Sequence, residues 1–323
     1  MVTGPRTLAQ VSEGALLAEI FPYFAAHDGL LIGPGDDAAV IATSGSVVAT
    51  TDAMVRGRDW VDEWSTAADV ASKAFTQNVA DVAAMGAVPT SLLVTLVADP
   101  QTPVQWAVDF ARTLGRLAQQ SSVAVAGGDL SSAPTGTLMI SIAALGDLGG
   151  RAPVLRSGAR PGDTIAVCGT LGRSAAGLAL LQADAAALTE ADGVGAECVA
   201  HHLRPTAPVE AGPRAATAGA TAMLDLSDGL LRDGDRIARA SGVRLALDSA
   251  LLRPDTEVLE PVVGGAEPAL ECVLAGGEEH SLLATFAGEL PTGWRPLGRV
   301  DKGEGVTLDG VPQAPRGWDH FAG

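Results

Sequence analysis

Apolar positions along the chain keep two rhythms, one of helices and one of strands. Leu16, Leu17, Ile20 and Phe24 recur at helical spacing and predict a helix over about 7–27. Val47–Thr51 is a short apolar strand that ends on Asp52. Thr66 and Asp69 form a capping box ahead of a helix that runs to about Met85, where Gly86 and Pro89 stop it. Val70, Ala71, Ala74, Phe75, Val79, Val82 and Ala83 make that helix apolar on a wide face. Lys73, Gln77 and Asp81 recur on one polar stripe, with Asn78 beside Asp81. A strand over 92–98, a helix over 104–120 and strands over 123–126 and 138–145 follow, the third breaking at Gly127-Gly128-Asp129. The stretch 149–163, GGRAPVLRSGARPGD, has no periodicity and marks a domain boundary.

Beyond it the pattern predicts strands over 164–168, 222–225, 244–247 and 282–286. Helices are predicted over 174–183 and from Gly229 to about Ser241, and a turn-rich tail from about Gly293. Both halves mix strands and helices. The class is therefore α/β or α+β, with two domains over 1–150 and 151–323.

Composition narrows the function. Hydrophobic residues at 47% and charged residues at 18% describe a packed globular chain rather than a disordered one. A formal net charge of −17 argues against a nucleic-acid partner, which clustered Lys and Arg would bind. Aromatics at 4% argue against base-stacking platforms. Cys168, Cys198 and Cys272 make neither a disulfide framework nor a zinc site. No run approaches about 18 apolar residues, and Glu13 and Glu19 interrupt the N-terminal segment, so a cytoplasmic protein without a membrane partner is expected.

The acidic residues cluster where apolar strands meet Gly or Ser turns. They are Asp36 and Asp37 in GPGDDAAV, Asp52 in ATTDAMV, Asp129 in AGGDLS, and Asp225 and Asp228 in LDLSDGL. Such strand ends are where sheet proteins build ligand sites. Carboxylates repel phosphate, but Mg²⁺ between them removes the conflict, and Mg²⁺ prefers oxygen ligands. Asp also caps turns, so any one of these could serve only its own backbone. The Lys73–Gln77–Asp81 stripe is either a solvated face or a polar face needing buried partners.

Several known sites are absent. There is no GxxxxGK[ST] loop, no GxGxxG after a strand, no GxSxG elbow and no HExxH. His201 and His202 point to different faces of any helix and read as a surface pair. Ser227 reads as a turn residue, with no local His to activate it.

Together the segments resemble the thiamine-monophosphate kinases, within the superfamily of aminoimidazole-ribonucleotide synthetase-like ATP enzymes. GPGDDAAV at 33–40 resembles the family's GxGDDAA, and TTDAMVRGRDW at 50–60 its STD motif. KAFTQNVADVAAMGAVP at 73–89 resembles the long KALxxNLSDLAAMGAxP motif. AGGDLS at 126–131, RSGARPGDTIAVCGTLGRSAAGL at 156–178, LDLSDGLLRD at 224–233, AGGEEHSLL at 275–283 and GWDHF at 317–321 match further family motifs.

The resemblance implies a PurM-like two-domain fold, an N-terminal mixed sheet with helices followed by a C-terminal α/β domain, and a homodimer. It implies that ATP phosphorylates thiamine monophosphate to thiamine diphosphate with Mg²⁺. Asp37, Thr51, Asp52, Asp81, Asp129, Asp225 and Asp228 would hold several Mg²⁺ ions. Gly128, Asp129, Arg156 and Ser227 would contact ATP, and Glu278 and Trp318 the thiamine substrate. An aromatic suits a thiazolium cation. Three positions depart from the pattern. Asp59 replaces a substrate-contacting His, Leu130 replaces a hydroxyl residue, and Glu279-His280-Ser281 replace Asp, Tyr and Glu. Other expectations are a different acceptor within the same superfamily, or a non-catalytic nucleotide- or cation-binding scaffold.

Overall fold

The computed structural model describes residues 5–33 and 38–318. Met1–Val82 and Pro89–Gly150 cluster as one compact unit, and Ala83–Val88 with Arg151–Gly323 as a second.

In the first unit α1 (Glu13–Ile20) is shorter than the 7–27 helix expected. Ser12 caps it, its hydroxyl accepting the Ala15 N–H at 3.2 Å. Pro22 then lies in a 3-10 turn, Phe21–Tyr23. β1 (Leu30–Ile32) and β2 (Val40–Ile41) pair antiparallel. The remaining elements are β3 (Val47–Val55), α2 (Ala67–Ala84), β4 (Val88–Ala98), α3 (Val104–Gln120), β5 (Ala124–Ser132) and β6 (Leu138–Asp147). The last four strands form one sheet in the order β3-β6-β4-β5.

Strand alternation decides which side chains this sheet hides. On β3, Thr50 and Asp52 are half-buried and Met54 is buried, whereas Val47, Ala49, Thr51, Ala53 and Val55 are exposed. Their partners on β6 follow suit, with Ile140, Ile142 and Ala144 buried opposite Met54, Asp52 and Thr50. β3 continues through Asp52 to Val55, because Ala53–Val55 keep the alternation. β5 likewise runs past Gly127. The expected break there is a bulge, since Leu92 pairs Val125 and Leu93 pairs Gly127.

α2 begins as its capping box predicts. Asp69 Oδ2 accepts from Thr66 N at 2.8 Å, and Thr66 Oγ1 accepts from Asp69 N at 3.4 Å. Thr66→Ala should cost about 1 kcal/mol in a urea titration with kinetics unchanged. α3 buries Ala107, Phe110, Ala111, Leu114 and Ala118, a stripe at helical spacing. Trp106 on α3 stacks on Trp60 at 6.4 Å and on Phe110 at 5.6 Å, which pins the turn after β3.

The second unit contains β7 (Thr164–Cys168), α4 (Arg173–Ala183), α5 (Ala187–Glu190), α6 (Gly193–Leu203), α7 (Ala211–Thr217), β8 (Ala220–Asp225) and α8 (Leu230–Ser241). It continues with β9 (Arg244–Leu247), α9 (Ser249–Val263), α10 (Ala266–Ala275), β10 (Leu282–Phe286), β11 (Arg295–Asp301), β12 (Gly305–Leu308) and β13 (Val311–Gln313). Its sheet has the order β13-β12-β9-β11-β7-β10-β8. The central strands are buried on both faces. Ile165, Val167, Leu224 and Leu283 join one core, and Ala166, Met223, Leu282, Ala284 and Phe286 the other. The tail expected to be turn-rich supplies three of the seven strands. No helix among the described residues is long and apolar enough to cross a membrane.

Candidate active site

Each unit carries its own set of the residues singled out by sequence. In the first, Thr50 and Asp52 share the inner face of β3. The Thr50 hydroxyl donates to Asp81 Oδ2 on α2 at 2.8 Å, so Asp81 is turned toward that face. Thr51 lies on the other face and donates its hydroxyl to Ile142 O at 3.0 Å. The Thr51 hydroxyl therefore does not face the side of β3 that carries Asp52. The hydroxyl beside the carboxylates is that of Thr50, which sequence reasoning passed over although period-two alternation points to it.

The polar stripe on α2 is not a solvated face. Lys73 is 4% exposed, and its ammonium lies 3.4 Å from the Asp59 carbonyl. Asn78 is 0% exposed, with its amide donating to Ala74 O at 2.9 Å. Asp59 itself accepts the Val55 N–H at 2.7 Å, so its carboxylate holds its own turn.

On β5, Asp129 is exposed and accepts from Ser131 Oγ at 3.2 Å. Gly128 beside it has no room for a side chain, since a Cβ there would lie 1.9 Å from Val94 O across the parallel pair. The bulge before Gly127 and this close approach set the direction of the Gly128–Asp129 segment. β3 and β5 are the two edges of the sheet, so Asp52 and Asp129 sit on opposite edge strands. Asp37 lies outside the described residues.

In the second unit β8 ends on Asp225, as expected. The turn Leu226–Gly229 leads into α8 and is fastened by Asp233, which is 0% exposed. Asp233 Oδ2 accepts from Asp228 N at 2.9 Å and Gly229 N at 3.1 Å, while its Oδ1 meets Arg236 at 2.5 Å. Arg236 also holds Asp228 Oδ2 at 2.5 Å, so one oxygen of Asp228 is already committed to a guanidinium. Burial pushes the Asp233 carboxyl up to about 7, with Asp225 and Asp228 adding to the rise and the Asp228 N–H and Arg236 opposing it.

The 277–281 loop packs on this turn. Glu278 N donates to Ser227 O at 2.7 Å and His280 N to Leu226 O at 2.8 Å. His280 Nδ1 lies 3.2 Å from Asp225 Oδ2. The tail closes the other side, with Trp318 N donating to Asp228 O at 3.0 Å and Arg316 pairing Glu271 at 2.6 Å. Ser227, Asp228, Glu278 and Trp318 are thus gathered in one cluster. Arg156 stands apart as an exposed side chain, its carbonyl accepting from Ser241 Oγ at 3.1 Å.

His201 and His202 are not the surface pair expected. His202 is 5% exposed, and its Nδ1 lies 3.2 Å from Ser174 Oγ and 3.5 Å from Glu278 Oε2. His201 Nε2 lies 3.5 Å from Glu279 Oε1. Both face the 277–281 loop because α6 ends there, packed on α4.

Among the described residues no three His, Cys, Asp or Glu side chains converge closely enough to enclose a metal by themselves. Mg²⁺ does not require such a cage, because it takes one or two carboxylates and completes its shell with phosphate oxygens and water. The donors present at Asp52, Asp81, Asp129 and Asp225 are hard oxygens of that kind.

Residues 35–148 match the model of the AIR synthase related protein N-terminal domain, and 160–311 that of its C-terminal domain. A thiamine-monophosphate kinase of Mycobacterium tuberculosis (strain CDC 1551 / Oshkosh) is 41% identical over 100% of this chain and 94% of its own length. The crystal structure of thiamine-monophosphate kinase from Stenotrophomonas maltophilia K279a superposes with a TM-score of 0.82 at 32% identity, covering 94% of this chain and 98% of its own. A structure described as AaThiL complexed with AMPPCP and TMP superposes with a TM-score of 0.77 at 31% identity, over 85% of this chain and 87% of its own.

Proposed function

The chain belongs to the thiamine-monophosphate kinase family, and from that premise we propose that the γ-phosphoryl of ATP passes directly to the phosphate of thiamine monophosphate. The products are thiamine diphosphate and ADP. The observations that carry the reading lie in each unit by itself: in the first, Thr50 orients Asp81 on α2 and the β5 bulge directs Gly128 and Asp129, and in the second, Asp233 fastens the turn after Asp225.

An oxygen of the acceptor phosphate attacks the γ-phosphorus, and the bond from γ-phosphorus to the β,γ-bridging oxygen breaks. The acceptor phosphate is already ionised at neutral pH, so no general base is needed and no covalent phospho-enzyme forms. Catalysis rests on position and on charge neutralisation. Mg²⁺, when bound, offsets the repulsion between the two phosphate chains and polarises the transferred group.

Asp37, Thr51, Asp52, Asp81, Asp129, Asp225 and Asp228 would hold the ions, with Thr50 orienting Asp81. Arg236 leaves Asp228 one oxygen for this task. Gly128, Asp129, Arg156 and Ser227 would meet ATP. Glu278 and Trp318 would receive the thiazolium cation, as carboxylate and ring face. Asp59, bound to Val55 N, would contribute its remaining lone pairs on the acceptor side.

The exposed face of the four-stranded sheet presents Val47 at 45%, Val55 at 38% and Leu93 at 39%, which supports a homodimer through that face. Leu93→Lys should halve the mass measured by light scattering, whereas an unchanged mass would remove this face from the dimer.

The reaction is tested by incubating the protein with ATP, Mg²⁺ and thiamine monophosphate. Thiamine diphosphate is the expected product. ATP hydrolysis without it would mean a different acceptor.

A further inference from the structure

Glu278 has a left-handed backbone, with φ of 58°, and His280 has another, with φ of 54°. Neither residue is glycine, so the loop is strained at both positions and its surroundings must hold it there. Main-chain bonds from Glu278 and His280 to Ser227 and Leu226 fix one side of it. The other side is fixed by Glu279, whose side chain turns inward and is 1% exposed.

The Glu279 carboxylate answers a need on α4. That helix starts after Gly172, which offers no side-chain cap to its first N–H groups. Glu279 supplies the acceptor from 105 residues away, with Oε2 taking the Ser174 N–H at 3.1 Å. Its Oε1 takes the Thr170 hydroxyl, and His201 Nε2 lies 3.5 Å from the same oxygen. Ser281 Oγ donates to Thr170 O at 2.8 Å and closes the clamp. A carboxylate suits this place because it has two acceptor oxygens and lies at the positive end of the helix.

We propose that Glu279 is a positioning residue for the acceptor: by capping α4 from within the loop, it fixes the left-handed backbone of Glu278 and so the direction in which Glu278 is offered to thiamine monophosphate. This rests on the reading that Glu278 contacts that substrate. Glu279 itself touches neither substrate and takes no part in the transfer.

Steady-state kinetics of the full chain test it with Glu278→Gln, Glu279→Gln and Glu279→Asp, alongside thermal unfolding. Gln keeps the length of Glu279 but places an NH₂ where one donor needs an oxygen. Glu279→Gln should therefore raise KM for thiamine monophosphate about 10-fold and leave KM for ATP within about twofold. Glu279→Asp keeps both oxygens and should hold KM for thiamine monophosphate within about threefold of the parent. A lowered melting temperature and kcat with KM for thiamine monophosphate unchanged would make Glu279 a helix cap alone and overturn the proposal. Unchanged KM for thiamine monophosphate in Glu278→Gln would instead sink the reading of Glu278, and the proposal with it. If Glu279→Gln does not fold, Thr170→Val removes one donor from the same carboxylate and should give the same selective rise in KM.

Discussion

Asp52→Ala is expected to lower turnover about 100-fold or more at saturating Mg²⁺, with the fold intact. Asp52 stands in the middle of β3 on the inner face, in the register where Ile142 opposes it. Alanine is tolerated by the strand, whose exposed face already carries Ala49 and Ala53. What is lost is charge at the point where two phosphate chains must approach one another. Removal of one preorganised group that stabilises developing charge costs on the order of 10²–10³ in rate. Asp129→Ala should behave alike, since Asp129 is exposed and holds no core contact. The readout is kcat against Mg²⁺ concentration, with circular dichroism as the control. Near-parent turnover by either variant at saturating Mg²⁺ would end the metal assignment for that residue.

The largest effect on stability is expected at Asp233. Its carboxylate holds the N–H groups of Asp228 and Gly229 and the guanidinium of Arg236, at 0% exposure. Asp233→Ala leaves one buried donor, one half-buried donor and one partly buried cation without this acceptor. About 3 kcal/mol should be lost in denaturant unfolding. KM for ATP should rise as well, because the turn bearing Ser227 and Asp228 loses its fastening. A loss below about 1 kcal/mol would show that Arg236 and the loop hold the turn without it.

The same residue carries a pH signature. Its carboxyl is raised from 3.8 to about 7, chiefly by burial. The folded chain therefore binds a proton here that the unfolded chain has released. The stabilisation from this group is complete below the unfolded value and is lost as pH rises through the folded one. Between about pH 4 and pH 7 stability should fall with rising pH on this account, and Asp233→Asn should flatten that slope.

Much of this was legible in the residues. The helix over 104–120 and the strands over 164–168, 244–247 and 282–286 coincide with α3, β7, β9 and β10, because α3 keeps a helical period and each strand is a short, mostly apolar run with Gly, Pro or Ser within two residues of its ends. The Thr66–Asp69 box is formed as read. Three things were hidden. Strand alternation within β3 puts Thr50, not Thr51, on the Asp52 face, a distinction that a motif match ignores. Glycines hid the length of β5, since Gly127 and Gly128 look like a break, whereas the bulge falls before them at Ala126 and both stay paired with β4 in a close backbone approach. The third is long range. No spacing in the chain connects His201, His202, Thr170 and Ser174 to Glu278 and Glu279, and only the packing of α4 on α6 and on α10, which leads into the 277–281 loop, brings them together.

A single-turnover experiment bears most directly on direct, metal-assisted transfer to thiamine monophosphate. The protein in excess is mixed with γ-³²P-labelled ATP, Mg²⁺ and thiamine monophosphate, quenched over time, and the label is followed. Transfer predicts label passing from ATP to thiamine diphosphate in one phase, with none on the protein at any time and none moved in the presence of a chelator. Label appearing first on the protein, or ending as free phosphate while thiamine monophosphate stays unchanged, would contradict it.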